Sequence, residues 1–238
     1  MTTDDNTNVY GPLSRDMSFV NKNPTDHERF KKFHKEFTQR IQQSESELRE
    51  EERKKNLALW DEHTPARWRK ARLARIDPMV AQRIVSIVKS SPNPPSLFFH
   101  GPAGCGKTYA SYAAFRALVG KYNVDPTNVL LIPETDLMGF ATSGYQGTNA
   151  FNDVMKRPLS GVIVTNAGND MSDKEYSLTE RFIDKMYTNN VPMMMTSVLS
   201  PQEWKTLDFG ATRLSRMSSI FGNNVISMPP RANNSLWE

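Results

Sequence analysis

The stretch "GPAGCGKT", residues 101–108, holds the densest chemistry in the chain. It fits the pattern G-x-x-x-x-G-K-[ST], with Gly101, Gly106, Lys107 and Thr108 in the required places. Glycines let backbone N–H groups close around phosphate oxygens with no Cβ in the way. A helix beginning near Lys107 adds the partial positive charge of its N-terminus. Lys107 reaches the β- and γ-phosphates, and the Thr108 hydroxyl is a magnesium ligand. The expected nucleotide-binding residues are therefore Gly101, Pro102, Ala103, Gly104, Cys105, Gly106, Lys107, Thr108 and Tyr109, with ATP and Mg2+ as cofactors. A second stretch, "GVIVTNAGND" (161–170), reads as a buried strand running out into a loop. Nucleotide hydrolases keep acidic residues at the end of such a strand, to hold magnesium and activate water. Here the strand ends in Thr165 and Asn166.

The elements around these residues alternate. "LFFHGPAGCGKT" is a strand entering a glycine loop, "YASYAAFRALVGKY" an alanine-rich helix, and "NVLLIPETD" a second strand. "GVIVTNAG" is a third strand, "DKEYSLTERFIDKMYTNN" an amphipathic helix and "VPMMMTSV" a fourth strand. Strands alternating with helices predict an α/β fold whose parallel sheet is covered on both faces. This P-loop domain is expected over residues 76–238, with a proline-rich turn, "SSPNPPS", near its start.

Upstream the composition changes. Residues 1–25 are polar and read as a disordered or loosely docked tail, followed over 26–75 by a helical region and a basic linker. No Gly or Pro interrupts His27 to Trp60, and Asp26 is placed to cap that helix. Phe30, Phe33, Phe37 and Ile41 share one helical face, after which Leu48 stands alone until Leu57 and Leu59. So narrow an apolar face needs a partner surface. It docks on its own domain, or it is a docking arm for another protein or half of a coiled-coil-like hairpin. In "TPARWRKARLAR" (64–75), Arg67, Arg69, Lys70, Arg72 and Arg75 surround Trp68 with no acid among them. That is a contact for a nucleic-acid backbone with an aromatic beside it, or a solvated helix face.

A length of 238 residues accommodates one full α/β domain plus an appendage. The net charge of +4 permits a nucleic-acid partner without demanding one. A lone cysteine, Cys105, excludes an intrachain disulfide framework. The N-terminus lacks the apolar core of a secretory signal, and no run of about 18 apolar residues is present to span a membrane, so a soluble cytoplasmic protein is expected.

With the loop and strands in place, residues from about 67 to 231 resemble the DnaC/IstB branch of the AAA+ ATPases, bacterial and phage helicase loaders and transposition helpers. "PARWRKARL" is similar to their pre-core segment, and "LFFHGPAGCGKTYASYAAFRAL" to their Walker A strand and helix. "VLLIPETDLMGF" occupies their second strand, "LSGVIVTNAG" their Walker B strand, and "VPMMMTSVLSPQEW" their sensor-1 segment. "ATRLSRMSSIFGNNVISMPPR" is similar to their arginine-rich end. The resemblance implies an AAA+ core preceded by a helical N-terminal region. It implies Arg216, with Arg213 second, as an arginine finger offered to a neighbouring subunit, and Arg231 as the sensor-2 candidate. Against these stands a plain surface pair of arginines on one helix. A replicative DNA helicase is the implied partner of the N-terminal helix and single-stranded DNA that of the core, with Tyr145, Phe151, Lys156 and Arg157 where loaders carry a DNA-contacting insertion.

The departures from the family lie where hydrolysis is served. Thr165 stands where the magnesium-organising Asp belongs, Asn166 where the second acid belongs, and Val198 where sensor-1 has Asn. With phosphate-binding positions intact, the expectation is ATP binding with turnover at least about 10²-fold below a competent relative, a deficit in which Thr165 and Asn166 are the catalytic positions. Glu134, Asp136 and Asp170 are the nearby acids, read either as a rescue or as ordinary capping and loop residues. The rival functions are an IstB-like ATP-dependent transposition regulator, a small-molecule P-loop kinase, and a scaffold that has lost nucleotide altogether.

Overall fold

The computed structural model describes residues 24–133, 136, 144–167, 173–206 and 211–230. The chain divides into two compact units at Glu51/Glu52. In the first, α1 (Pro24–His63) begins, and Phe30, Phe33, Phe37 and Ile41 lie exposed along it, Phe33 and Phe37 stacked at 6.1 Å. Asp26 falls inside this helix rather than capping it, because Pro24, whose fixed φ suits a first turn, already begins it.

The second unit is the α/β domain. It contains the end of α1, then α2 (Pro78–Ser90), β1 (Leu97–His100), α3 (Lys107–Tyr122), β2 (Val129–Pro133), α4 (Gly144–Lys156) and β3 (Gly161–Ala167). There follow α5 (Asp173–Thr188), β4 (Met193–Ser197), α6 (Pro201–Thr206), α7 (Ala211–Phe221) and β5 (Val225–Ser227). The five strands form one sheet, paired in parallel throughout, in the order β2-β3-β4-β1-β5. The chain leaves β1 for the far edge, works back through β3 and β4, then crosses β1 to reach β5. Open sheets of this kind bind ligands outside the carboxyl ends of their strands.

Both sheet faces are covered, which is why the strands read as continuous apolar runs. Leu97 and Phe99 face one core, which holds Trp60, Ile84, Phe115 and Leu118; Phe98 faces the other, with Phe151, Phe182 and Trp204. Alanines 110, 113 and 114 of α3 are buried, so this helix seats closely on the sheet. Trp60 is buried against Phe115, rings stacked at 5.2 Å. In α2, Asp77 accepts from the N–H groups of Met79 and Val80, Pro78 takes the first position, and Val80, Ile84, Ile87 and Val88 make the buried face.

Two expectations are corrected here. Phe151 does not face a DNA strand: it is fully buried, with the Arg181 guanidinium over its ring at 5.4 Å. Nor is 64–75 a helix. Residues 66–70 form a turn and Leu73–Arg75 a short 3-10 helix. The Arg69 guanidinium turns back to the carbonyls of Thr64 (3.0 Å) and Glu62 (3.3 Å), where α1 leaves its last acceptors open.

Candidate nucleotide-binding site

The phosphate loop begins where β1 meets β5. Met228 N–H donates to the His100 carbonyl at 2.7 Å, drawing the two chains together. Gly101 follows with φ +146°, and a Cβ there would stand 2.4 Å from the Met228 carbonyl oxygen. Only glycine fits that approach. Gly106, at φ +96°, turns the loop into the first residue of α3. Lys107 is 7% exposed, and its ammonium donates to the carbonyls of Gly101 and Pro102, each at 2.7 Å, with the buried Cys105 Sγ at 3.8 Å. The charge is thereby held at the centre of the loop. Burial holds His100 below its ordinary value of 6.5, with the nearby Glu203 opposing that shift and Lys107 adding to it.

A cavity of ≈ 380 Å³ lies over the loop, lined by Ala103, Gly104, Gly106, Lys107, Thr108 and Tyr109 together with Asn166 and Val198. Another, of ≈ 430 Å³, is lined by Thr108, Tyr112, the end of β2, Thr165 and Asn166. The fold therefore brings the phosphate loop, Thr165 and Asn166 of β3, and Val198 beyond β4 to one place. β3 carries a register irregularity between Val164 and Ala167, and Asn166 sits there in the left-handed region at φ +59°. Such bulges re-aim side chains beside active sites, and asparagine tolerates that backbone better than most residues. The Asn166 N–H donates to Thr196 Oγ1 at 3.1 Å. Behind it, the buried Ser197 hydroxyl donates to the Ala167 carbonyl at 2.7 Å and accepts from Leu199 N–H and the Trp204 indole, each at 3.0 Å. β4 is thus anchored to β3, while Val198 follows its end, 52% exposed.

Arg67 and Trp68 line both cavities. From sequence they read as a nucleic-acid contact or a helix face; the structure places them beside the phosphate loop. Tyr109, two residues beyond Lys107, holds them there: its hydroxyl donates to the Lys70 carbonyl at 2.7 Å and accepts from Arg72 N–H at 3.3 Å. Trp68 stacks on Tyr112 at 5.6 Å, and the Arg67 guanidinium lies 4.8 Å above the Trp68 ring. Asp61 braces the same corner, accepting from Arg116 and Arg72 at 3.1–3.2 Å.

The residues present fit the phosphates of a nucleotide: a glycine loop, a helix N-terminus, a centred lysine and an arginine. They fit a metal ion poorly. Thr108 and Thr165 offer hydroxyls and Asn166 an amide; among the described residues no carboxylate lines either cavity and no cluster of three metal-ligating side chains occurs. Asp136 is exposed. Glu134, Asp170, Arg231 and the side chains of Tyr145 and Arg213 lie outside the described residues. Arg216, on α7, lines neither cavity; its Nε donates to Asp184 Oδ1 at 2.8 Å and its guanidinium lies 4.6 Å over the Tyr187 ring. No helix among the described residues is long and apolar enough to cross a membrane.

No protein-family model matches the sequence, and neither does any curated protein. Solved structures do match in three dimensions. The DnaC helicase loader superposes with a TM-score of 0.56 at 17% identity, over 69% of this chain and 100% of that one. DnaI gives 0.55 at 18% identity, over 71% and 93%. The replication initiator DnaA, bound to AMPPCP and single-stranded DNA, gives 0.50 at 16% identity, over 68% of this chain and 50% of that one. At such identities the likeness shows the fold alone, and it is the fold that the sequence resemblance anticipated: a parallel P-loop sheet flanked by helices, the AAA+ architecture shared by DnaC, DnaI and DnaA.

Proposed function

We propose that this protein is an ATP-binding AAA+ adaptor of DNA replication, helicase-loader-like, which binds nucleotide and hydrolyses it weakly. One observation carries the reading. A complete phosphate loop, with Lys107 held at its centre, shares its cavity with Asn166 and Val198 in place of a catalytic acid and a sensor-1 amide. The loop amides, Lys107 and the α3 N-terminus bind the phosphates. Asn166 positions water without accepting a proton, and in a loose phosphoryl transition state positioning retains part of the rate. A magnesium ion arriving with the nucleotide would meet the Thr108 hydroxyl, with Thr165 able only to orient its waters.

The remaining assignments follow the fold analogy. The N-terminal helical region engages a replicative DNA helicase through the exposed Phe30–Ile41 stripe, and the core binds single-stranded DNA, as DnaA does in its complex. Arg216 serves a neighbouring copy's nucleotide, which agrees with its lining neither cavity of its own chain. Nucleotide binding and steady-state phosphate release, measured together on the purified protein with Lys107→Ala as control, test the core of this reading. Tight binding with almost no release, both lost in the control, is the expected result. Release at ordinary AAA+ rates would show that an acid elsewhere does the work.

A further inference from the structure

We infer that the site binds nucleoside triphosphate without requiring a divalent metal, because Arg67 supplies in the same chain the positive charge that the metal ordinarily brings. The inference rests on the nucleotide-binding reading above and concerns how that site neutralises its ligand. In a phosphate-loop site the metal offsets the triphosphate's charge and is itself held, directly or through water, by carboxylates. Here those positions are Thr165 and Asn166, both uncharged, while a guanidinium lies on the same side: Arg67 lines the cavity that holds Thr108, Thr165 and Asn166. With uncharged side chains at Thr165 and Asn166 and a guanidinium lining the same cavity, the site attracts the free triphosphate, which carries the charge a bound metal would otherwise neutralise.

Arg67 is built into this position rather than swept there by chance. Its turn is clamped by Tyr109 to the first turn of α3, its neighbour Trp68 is stacked on Tyr112, and its guanidinium rests over that indole. Among the described residues it has no ion-pair partner, whereas Arg72 in the same stretch is paired with Asp61. A planar guanidinium presents two donors side by side to phosphate oxygens, so its charge reaches the ligand through directed hydrogen bonds.

The test is the affinity of the full-length protein for ATP, measured by titration calorimetry with excess Mg2+ and again with excess EDTA. Wild type is expected to change by less than about 3-fold between the two conditions. Arg67→Ala should lose at least about 10-fold in EDTA and much less in Mg2+, while Arg67→Lys, which keeps the charge but not the fork, should recover part of the loss. Thermal unfolding of each variant establishes that it is folded. A wild-type affinity that falls more than about 10-fold in EDTA overturns the inference, as does an Arg67→Ala variant that binds free ATP as wild type does; either leaves the nucleotide-binding reading intact. Absence of ATP binding under both conditions overturns both readings together.

Discussion

Placing two acids at the end of β3 is the most searching perturbation of the proposed site. Asn166 sits at φ +59°. A glutamate there would carry the left-handed penalty of about 1–2 kcal/mol, which aspartate partly escapes. The substitutions are therefore Thr165→Asp with Asn166→Asp, the second nearly the same shape as the residue it replaces. Both positions line the cavity that contains Thr108, so a metal held by the Thr108 hydroxyl would gain a charged partner and the attacking water an acceptor. One well-placed general base is worth at least about 10²-fold, or about 2.7 kcal/mol of barrier. Steady-state phosphate release at saturating Mg-ATP should rise by about that factor, against a Lys107→Ala background. The same variant should come to need Mg2+ for binding, since two carboxylates now repel the free triphosphate. The cavity edge is open and the Asn166 backbone anchor on Thr196 is unaltered, so the melting temperature should stay within about 4 °C of wild type, the shift for roughly 1 kcal/mol in a domain of this size. A folded variant that binds Mg-ATP and releases phosphate no faster than wild type would refute the claim that the end of β3 limits turnover.

Three further outcomes are expected. Gly101→Ala forces a Cβ to 2.4 Å from the Met228 carbonyl oxygen at φ +146°, and should cost about 1–3 kcal/mol in denaturant unfolding; an unchanged midpoint would show that β5 can give way. His100 is favoured neutral in the fold, so as pH falls below its ordinary value of 6.5 the unfolded chain takes up the proton first. Stability should thus be fully present above that pH and decline below it toward the lowered folded value, and His100→Gln should flatten this slope in thermal melts recorded from pH 7.5 to 5. Arg216→Ala removes a half-exposed pair with Asp184, costing under about 1 kcal/mol, and should leave ATP affinity unchanged while abolishing ATP-promoted self-association by sedimentation velocity; association that persists would return Arg216 to a surface role.

The phosphate loop and the strands that follow it were legible in the chain, because each is a short motif whose meaning lies in local spacing. Lys107 follows Gly106 into a helix whatever packs around it, and Thr165 and Asn166 end a strand that a continuous apolar run announces. β5, only three residues long, has no such period and exists through its pairing with β1. The burial of Phe151 was equally hidden, since an aromatic followed by basic residues looks alike whether its ring meets a nucleotide or a core. Tertiary structure also decided the role of the 64–75 stretch. Read alone it is a run of positive charge; folded, Arg69 caps α1, Arg72 pairs with Asp61, and Arg67 and Trp68 line the phosphate cavity. What places Arg67 and Trp68 there is a pair of hydrogen bonds at Tyr109, given to Lys70, 39 residues away, and received from Arg72, 37 away, and contacts at that range leave no periodic trace in a sequence.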